Sequence, residues 1–522
     1  MDLNLILLII IGFAAALTGL RVFYLARGQG WGWIIISSVT LGAMMVSFFV
    51  VPDSAGYVGG VIWGALVWLP SMGARWLNRL VFQQRYRQAR QLAGVLAWLH
   101  PADGWREQPH FLRALEFGQQ GDFAEAEAIL NRYQNTTTPL GRLAAIQLYR
   151  MNGRWDALLD WFEPHLAEPG FQHDPGTLNL YLRALGETGN LNGLLTAYTR
   201  FEKAIEKNPT SALLSRLVIF AFCGRVEQVA RLFEGSLKLF SLPAQNFWLA
   251  TANLTAGNET TGRQQLTEAL RTNDILIRAA AERRQSKPLP LAEAALTPDS
   301  RAILAEVELA QAHAERYGGL AGPRRARPYL TYTLIGLNLV VFLVEIMLGG
   351  SQDIETLYRM GALLPQAVAA GEWWRLYGFM FLHFGFLHLL LNMLGLYALG
   401  NFVEPALGLV RYSLVYFVSG LSAGLLVVFL VLQGQAGNQI LVGASGGIMG
   451  LVGATAAILL RGWRVDKARV ASQRLLLVGL IIILQVSVDL LVPQISFTAH
   501  STGLVTGFIL TSLMRHELSL AN

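Results

Sequence analysis

Apolar residues along this chain fall into three regimes. Residues 3–26 are almost continuously apolar, and so are residues 31–51 and 57–80. Each stretch is close to the roughly 20 residues that a helix needs to cross the apolar core of a bilayer. The first lacks the basic start and small-residue cleavage pattern of a removable secretory signal, so it reads as a retained membrane helix. From about Gln83 to Ala326 apolar residues recur at helical spacing, and polar turns break them into helix pairs, which predicts a soluble all-helical region. After Pro328 the apolar stretches return, over residues 329–348, 374–402, 409–432, 444–460, 475–492 and 497–514. The pattern predicts an all-α polytopic membrane protein with nine spans. The divisions fall at 1–82 for three transmembrane helices, 83–326 for the helical region, 327–516 for six further helices, and 517–522 for a short tail.

Charge orients these spans. Arg21 and Arg27 follow the first, and Arg75, Arg79, Arg85, Arg87 and Arg90 lie at or after the end of the third, while the connection after the second holds only Asp53. In the carboxy-terminal block the basic residues fall at Arg324, Arg325 and Arg327, at Arg411, at Arg461, Arg464, Lys467, Arg469 and Arg474, and at Arg515. All of these lie on one side, which the excess of Lys and Arg in cytoplasmic loops marks as the inside. Met1 is then expected outside, with the helical region and Asn522 in the cytoplasm, as a multi-pass protein of the cell membrane. The composition agrees: 53% of the 522 residues are hydrophobic and 15% charged, against about a quarter charged in a soluble domain. A net charge of +6 raises the question of nucleic acid, but its placement beside the spans makes it topological, and no nucleic-acid partner is expected. The single cysteine, Cys223, excludes an intramolecular disulfide framework and a cysteine zinc site.

Within the helical region, residues 111–133 form two amphipathic helices about the Gly121-Asp122 turn, with alanines where helices must approach closely. This unit resembles a tetratricopeptide repeat. Weaker copies at 144–162, 178–201 and 214–233, with turns at Asn152-Gly153, Gly189-Asn190 and Gly224, suit the period of about 34 residues of such arrays. An irregular helical bundle is the plainer alternative. Pro288, Pro290 and the segment 318–328 with its Arg-Arg-Ala-Arg run read as a linker.

The chemistry concentrates in the last block. Gly443-Ala444-Ser445-Gly446-Gly447 fits G-x-S-x-G, a motif whose soluble setting is a strand-to-helix turn. Here it opens an apolar helix, so unpaired N–H groups and the positive end of the helix dipole would face a developing oxyanion. Taken alone, such small residues more often signal close helix packing in a membrane. A serine nucleophile needs a base, and His500 is the candidate, placed by topology in the same outer leaflet. Gly503 and Gly507 share a helical face with His500, while Gly446, Gly450 and Gly453 form another on the serine helix. Two such faces let backbones approach until serine and histidine touch. A structural histidine is the competing account. In the segment Phe381–Met393, His388 and Asn392 stand one helical turn apart, with His383 earlier on the same expected helix. Polar side chains in an apolar span are costly unless used or paired. His388 and Asn392 can donate hydrogen bonds to an oxyanion beside the N–H of Ser445. Metal binding by His383 and His388 is disfavoured, because no carboxylate or cysteine joins them at ligand spacing.

These residues together resemble the rhomboid intramembrane serine proteases, over about Pro328 to Arg515. The matching segments are Trp374-Arg375, His383 to Asn392, Glu404 with Gly408, Gly443 to Gly450, and Ala499 to Gly507. The resemblance implies a six-helix core and a Ser445–His500 dyad without an acidic third member. It also implies an oxyanion site of His388, Asn392 and the Ser445 backbone, supported by His383, Gly443, Gly446 and Gly503, with Met449 packed near the His500 ring. It further implies single-span membrane proteins as substrates, beside the bilayer itself as partner, and no cofactor or metal. A cytoplasmic protein or peptide is the expected ligand of the helical region. Asp489, near the end of the fifth span, is open to suspicion as a third triad member but reads first as an interfacial residue in water, and Glu404 and Arg411 read as anchors of a loop. Trp373 and Trp374 belong to an interfacial aromatic belt. Two other functions compete: a non-catalytic adaptor that binds transmembrane helices, and a transporter, disfavoured because the polar groups cluster in one leaflet.

Overall fold

The computed structural model describes residues 3–25, 30–100, 102–133, 137–318, 327–435, 440–491 and 496–514. Met1, Arg27, Arg324, Arg325, Arg515 and Asn522, on which part of the topology rests, lie outside the described residues. The fold is all-α; among the described residues the only sheet-type pairing is one antiparallel bridge between Leu363 and Leu441. Among the described residues eight helices are long and apolar enough to cross a membrane, which makes the chain a multi-pass membrane protein. The expected ninth span, Phe497–Leu513, is a helix of 17 residues, at the short end of the spanning range.

The chain separates into two compact units. In the unit that runs over Ile10–Ala312, helix Trp31–Val50 is followed by a continuous helical stretch, Pro52–Phe82. That stretch passes through a π-helical segment at Gly64–Trp68 just before Pro70. Proline has no N–H to donate to the preceding turn, and local rewinding accommodates the loss. Beyond it, paired helices alternate with turns at Gly121, Gly153, Gly189, Gly224 and Gly257, each at positive φ between 65° and 95°. Only glycine enters that region without a steric penalty, which is why each helix pair reverses there. Leu178, Leu182, Leu194, Leu217, Phe220 and Phe222 build the largest core of this unit. Cys223 is fully buried, and burial pushes its thiol up to about 12, so it is an inert packing residue.

Among its described residues the other unit holds six long helices, numbered α1 to α6: α1 (Tyr329–Leu348), α2 (Phe386–Leu407), α3 (Leu409–Leu432), α4 (Ser445–Arg464), α5 (Arg469–Leu491) and α6 (Phe497–Leu513). The span expected over 374–402 is corrected. Residues 375–381 form two short helices, and α2 starts only at Phe386 after Gly385 at φ 86°. Burial ranks the helices: 78% of the apolar window of α4 is buried, against 17% for α5. Glycine explains this rank. A Cβ at Gly450 would lie 2.3 Å from the Ser419 side chain on α3, one at Gly453 would lie 2.1 Å from the Leu504 carbonyl oxygen on α6, and one at Gly447 would press on the Tyr416 ring. Glu404, near the end of α2, accepts from the N–H groups of Leu330 and Thr331 at 2.9 and 2.8 Å and so caps the start of α1. Arg411 is exposed on α3.

Candidate active site

Ser445 is the first residue of α4, and the first intrahelical bond of that helix runs from Ile448 N–H to Ala444 O at 3.0 Å. The N–H groups of Ser445, Gly446 and Gly447 therefore precede the helical ladder and remain available as donors. The strand-like approach to the helix is held in place from outside. Leu441 exchanges both backbone hydrogen bonds with Leu363 at 3.0 Å, and Gly443 N–H donates to Phe379 O at 2.8 Å. Gly443 has φ 128°, and a Cβ there would lie 2.9 Å from His388 Nε2 and 3.7 Å from Ser445 Oγ. Glycine at this position both permits the backbone conformation and keeps open a small space that His388 and Ser445 face together.

His388 and Asn392 lie on α2, one turn apart. Phe384 N–H donates to His388 Nδ1 at 3.3 Å, so the neutral ring carries its proton on Nε2, the nitrogen turned towards Gly443. Asn392 is buried and spends one Nδ2 proton on His388 O at 3.0 Å, leaving the second to donate. His383, expected on the same helix, sits instead in the loop before α2. It is fully buried there, its N–H donating to Glu345 Oε1 at 2.9 Å and its Nδ1 facing Phe381 O at 3.2 Å. The glycine at position 385 breaks the helix that hydrophobicity alone would extend. The His383 ring meets that of His388 edge to face at 5.2 Å between centroids, which makes it a packing support for His388.

His500 lies in the first turn of α6, one turn before Gly503. A Cβ at Gly503 would come within 2.2 Å of Gly446 O, and one at Gly507 within 2.0 Å of Gly450 O. The residue after Ser445 thus touches the residue one turn after His500, and the two glycine faces read from the sequence are the ones in contact. Among the described residues no hydrogen bond joins Ser445 Oγ to His500; such contacts are often long before substrate binds. Met449 is buried one turn beyond Ser445.

Asp489 departs from expectation. It is not in water: its side chain is 1% exposed, and its two oxygens stand 2.9 and 3.0 Å from His500 Nδ1. Gln485, one turn earlier on α5, donates to Asp489 Oδ1 at 2.7 Å and lies 3.3 Å from His500 Nδ1. The reading of Asp489 as an interfacial residue in water is corrected accordingly. Sequence reasoning singled out Asp489 but placed it in water, and it missed Gln485; the two stand 11 and 15 residues before His500, on a different helix. A polar pair at i, i+4 in an otherwise apolar span was the available signal.

Trp373 and Trp374 are exposed, whereas Arg375 beside them is buried. Its guanidinium donates to Tyr358 O at 2.7 Å and Ala362 O at 2.9 Å and lies 4.2 Å from the Tyr358 ring centroid. The arginine thereby fixes the segment 354–375, whose Leu363 in turn positions the approach to Ser445.

The sequence model of the family described as Rhomboid domain matches residues 370–517, which include His383, His388, Asn392, Ser445, Asp489 and His500. Among curated proteins, RHOMBOID-like protein 5 of Arabidopsis thaliana is 35% identical over 38% of this chain and 63% of its own length. The rhomboid protease GluP of Bacillus subtilis is 31% identical over 35% of this chain and 34% of its own. The rhomboid protease AarA of Providencia stuartii is 32% identical over 25% of this chain and 51% of its own. The chain thus spans between about a third and just under two thirds of the length of these relatives. No solved structure matches it. The matched segment coincides with the glycine-packed helices and the polar cluster around Ser445, and over residues 370–517 this chain matches the Rhomboid domain family.

Proposed function

We propose that the chain is an intramembrane serine endopeptidase with Ser445 as nucleophile and His500 as base. The observation that carries this reading is the glycine contact of α4 with α6, which brings the turns of Ser445 and His500 together. His388 aims a donor at the same space. His500 Nε2 takes the Ser445 proton as Oγ bonds to the carbonyl carbon of a peptide. Negative charge passes to the carbonyl oxygen, for which the Ser445 N–H, His388 Nε2–H and Asn392 Nδ2–H are the available donors. Collapse breaks the C–N bond, His500 returns the proton to the leaving amine, and water then hydrolyses the acyl ester. Substrates are single-span membrane proteins of the cell membrane. An intact helix hides its carbonyls in its own hydrogen bonds, so cleavage favours spans loosened by Gly or Pro near the outer end. Covalent labelling of the purified chain by a fluorophosphonate serine probe tests the reading. Labelling lost in Ser445→Ala supports it, and a wild-type chain that is folded yet inert to the probe would instead favour the non-catalytic adaptor.

For the oxyanion donors, His388→Ala and Asn392→Ala are each expected to lower kcat by roughly 10- to 1000-fold with little change in KM, the scale for loss of one preorganised donor. Steady-state kinetics on a model transmembrane substrate checks this; unchanged kcat in both variants would return the two residues to a packing role.

The helical region reads as a tetratricopeptide-like array, supported by glycine turns that recur every 32 to 36 residues. We assign it an acidic peptide segment of a substrate or regulator as ligand. A cavity of about 250 Å³ favours this: Arg150, Arg183 and Arg283 line it together with Trp155, Phe247 and Trp248, and no Asp or Glu is among its described lining residues. Glu187 is shared between Arg183 and Arg284 at 3.3 and 2.6 Å, so one carboxylate answers two guanidinium groups. Burial, only partly offset by Glu187, pulls Arg183 down to about 10. Arg150→Glu with Arg283→Glu is expected to slow processing of a substrate trapped by Ser445→Ala by about tenfold, one charge contact's worth of affinity. Cleavage of a generic span should stay unchanged. Equal slowing of both substrates in a competition assay would remove the recognition role.

A further inference from the structure

A carboxylate inside an apolar span is costly to keep unless it is paired or used. Asp489 is such a group. It lies in the outer half of α5, a helix that otherwise buries only Ala471, Val478 and Val488, yet the Asp489 side chain is almost wholly enclosed. Both of its oxygens are directed at one atom, His500 Nδ1, at 2.9 and 3.0 Å. Gln485 completes the arrangement by donating to Oδ1 at 2.7 Å, so the carboxylate is held from its own helix while it faces the histidine of the next. His388 is the other titratable group of the site, and it faces Gly443 and the serine.

We propose that Asp489 is the positioning residue for His500, so that the site works as Ser445–His500–Asp489 with Gln485 as the support of the carboxylate. The proposal rests on the protease reading above. An ionised carboxylate only accepts hydrogen bonds, so the proton of neutral His500 resides on Nδ1 and the lone pair on Nε2. That is the tautomer a general base requires. When Nε2 takes the Ser445 proton and Oγ bonds to the carbonyl carbon, the ring becomes an imidazolium whose charge lies directly against Asp489. The carboxylate stays ionised throughout, and the proton leaves Nε2 for the departing amine. Gln485 limits the rotation of the carboxylate, and the two oxygens together fix the plane in which the ring can lie.

A staple that merely joins α5 to α6 would use the same contacts, and the variants separate the two roles. Asp489→Asn keeps the shape and one acceptor oxygen but removes the charge, and its amide can donate to Nδ1, which favours the wrong tautomer. The expected result for the full-length chain is a fall in kcat of about 10- to 1000-fold for Asp489→Asn and Asp489→Ala. KM and the melting temperature should stay near wild type, and the rate of fluorophosphonate labelling at Ser445 should fall in parallel with kcat. Asp489→Glu should recover more of kcat than Asp489→Asn, because it restores an acceptor-only group. Wild-type kcat and labelling rate in both Asp489→Asn and Asp489→Ala would overturn the proposal. So would a loss of activity that tracks a lowered melting temperature and is not relieved by Asp489→Glu. Failure of the protease reading looks different: a folded wild-type chain without turnover, or cleavage that persists in Ser445→Ala.

Discussion

Replacing Ser445 or His500 by alanine is expected to abolish cleavage of a model transmembrane substrate, by about four to six orders of magnitude in kcat, the loss seen when one member of a nucleophile–base pair is removed. Insertion and folding should survive. Ser445 stands at a helix start whose neighbours Gly446 and Gly447 carry the packing against α3, and a smaller side chain at 445 leaves those contacts in place. His500→Ala removes a larger group and releases Asp489, so its melting temperature should fall while that of Ser445→Ala does not. Purified variants assayed side by side in detergent and in liposomes check both statements. Robust turnover by either one would sink the assignment of nucleophile and base.

The second large effect is on assembly. Gly507→Val is expected to prevent α4 and α6 from closing, because even its Cβ would lie 2.0 Å from Gly450 O and 2.6 Å from Gly450 C and Cα. The obstructing atoms belong to backbone, which no rotamer change can move aside. Overpacking a core costs typically about 1–3 kcal/mol where side chains can yield, and here they cannot. The variant should lose probe labelling at Ser445 and melt at markedly lower temperature. Gly479→Ala on α5 is the contrasting substitution, since nothing lies within 4 Å of a Cβ there. It should be neutral or stabilise by up to about 1 kcal/mol through the better helix propensity of alanine. Thermal melts of the two variants distinguish specific glycine packing from a general need for flexibility. Equal behaviour would refute the steric account.

These predictions draw on different amounts of sequence information. The glycine faces at Gly446, Gly450, Gly453, Gly503 and Gly507 were legible from spacing alone, because a helix repeats every 3.6 residues and close approach in a membrane calls for small side chains. The contact of these faces followed from little more than topology. The start of α2 was not legible. Residues 374–385 are as apolar as the helix that follows, so hydropathy extends the span through them. The actual boundary is set by Gly385 and by the hydrogen bonds that tie Arg375, His383 and Gly443 to neighbouring segments. His383 accordingly moves from an expected helix to a buried loop.

What the sequence by itself determined is the all-helical membrane character, the position of most spans and the short list of groups able to do chemistry. Long apolar runs, a helical period and a G-x-S-x-G motif are local properties, and local properties survive in a one-dimensional record. What only the tertiary structure decided is how those groups are wired. Phe384 N–H sets the tautomer of His388 from outside its helix, and Asp489 and Gln485 reach His500 from another helix. Whether a carboxylate near the end of a span meets water or an imidazole depends on which helix packs beside it and at what rotation. A rotation of α5 about its own axis would change the answer without altering a single residue.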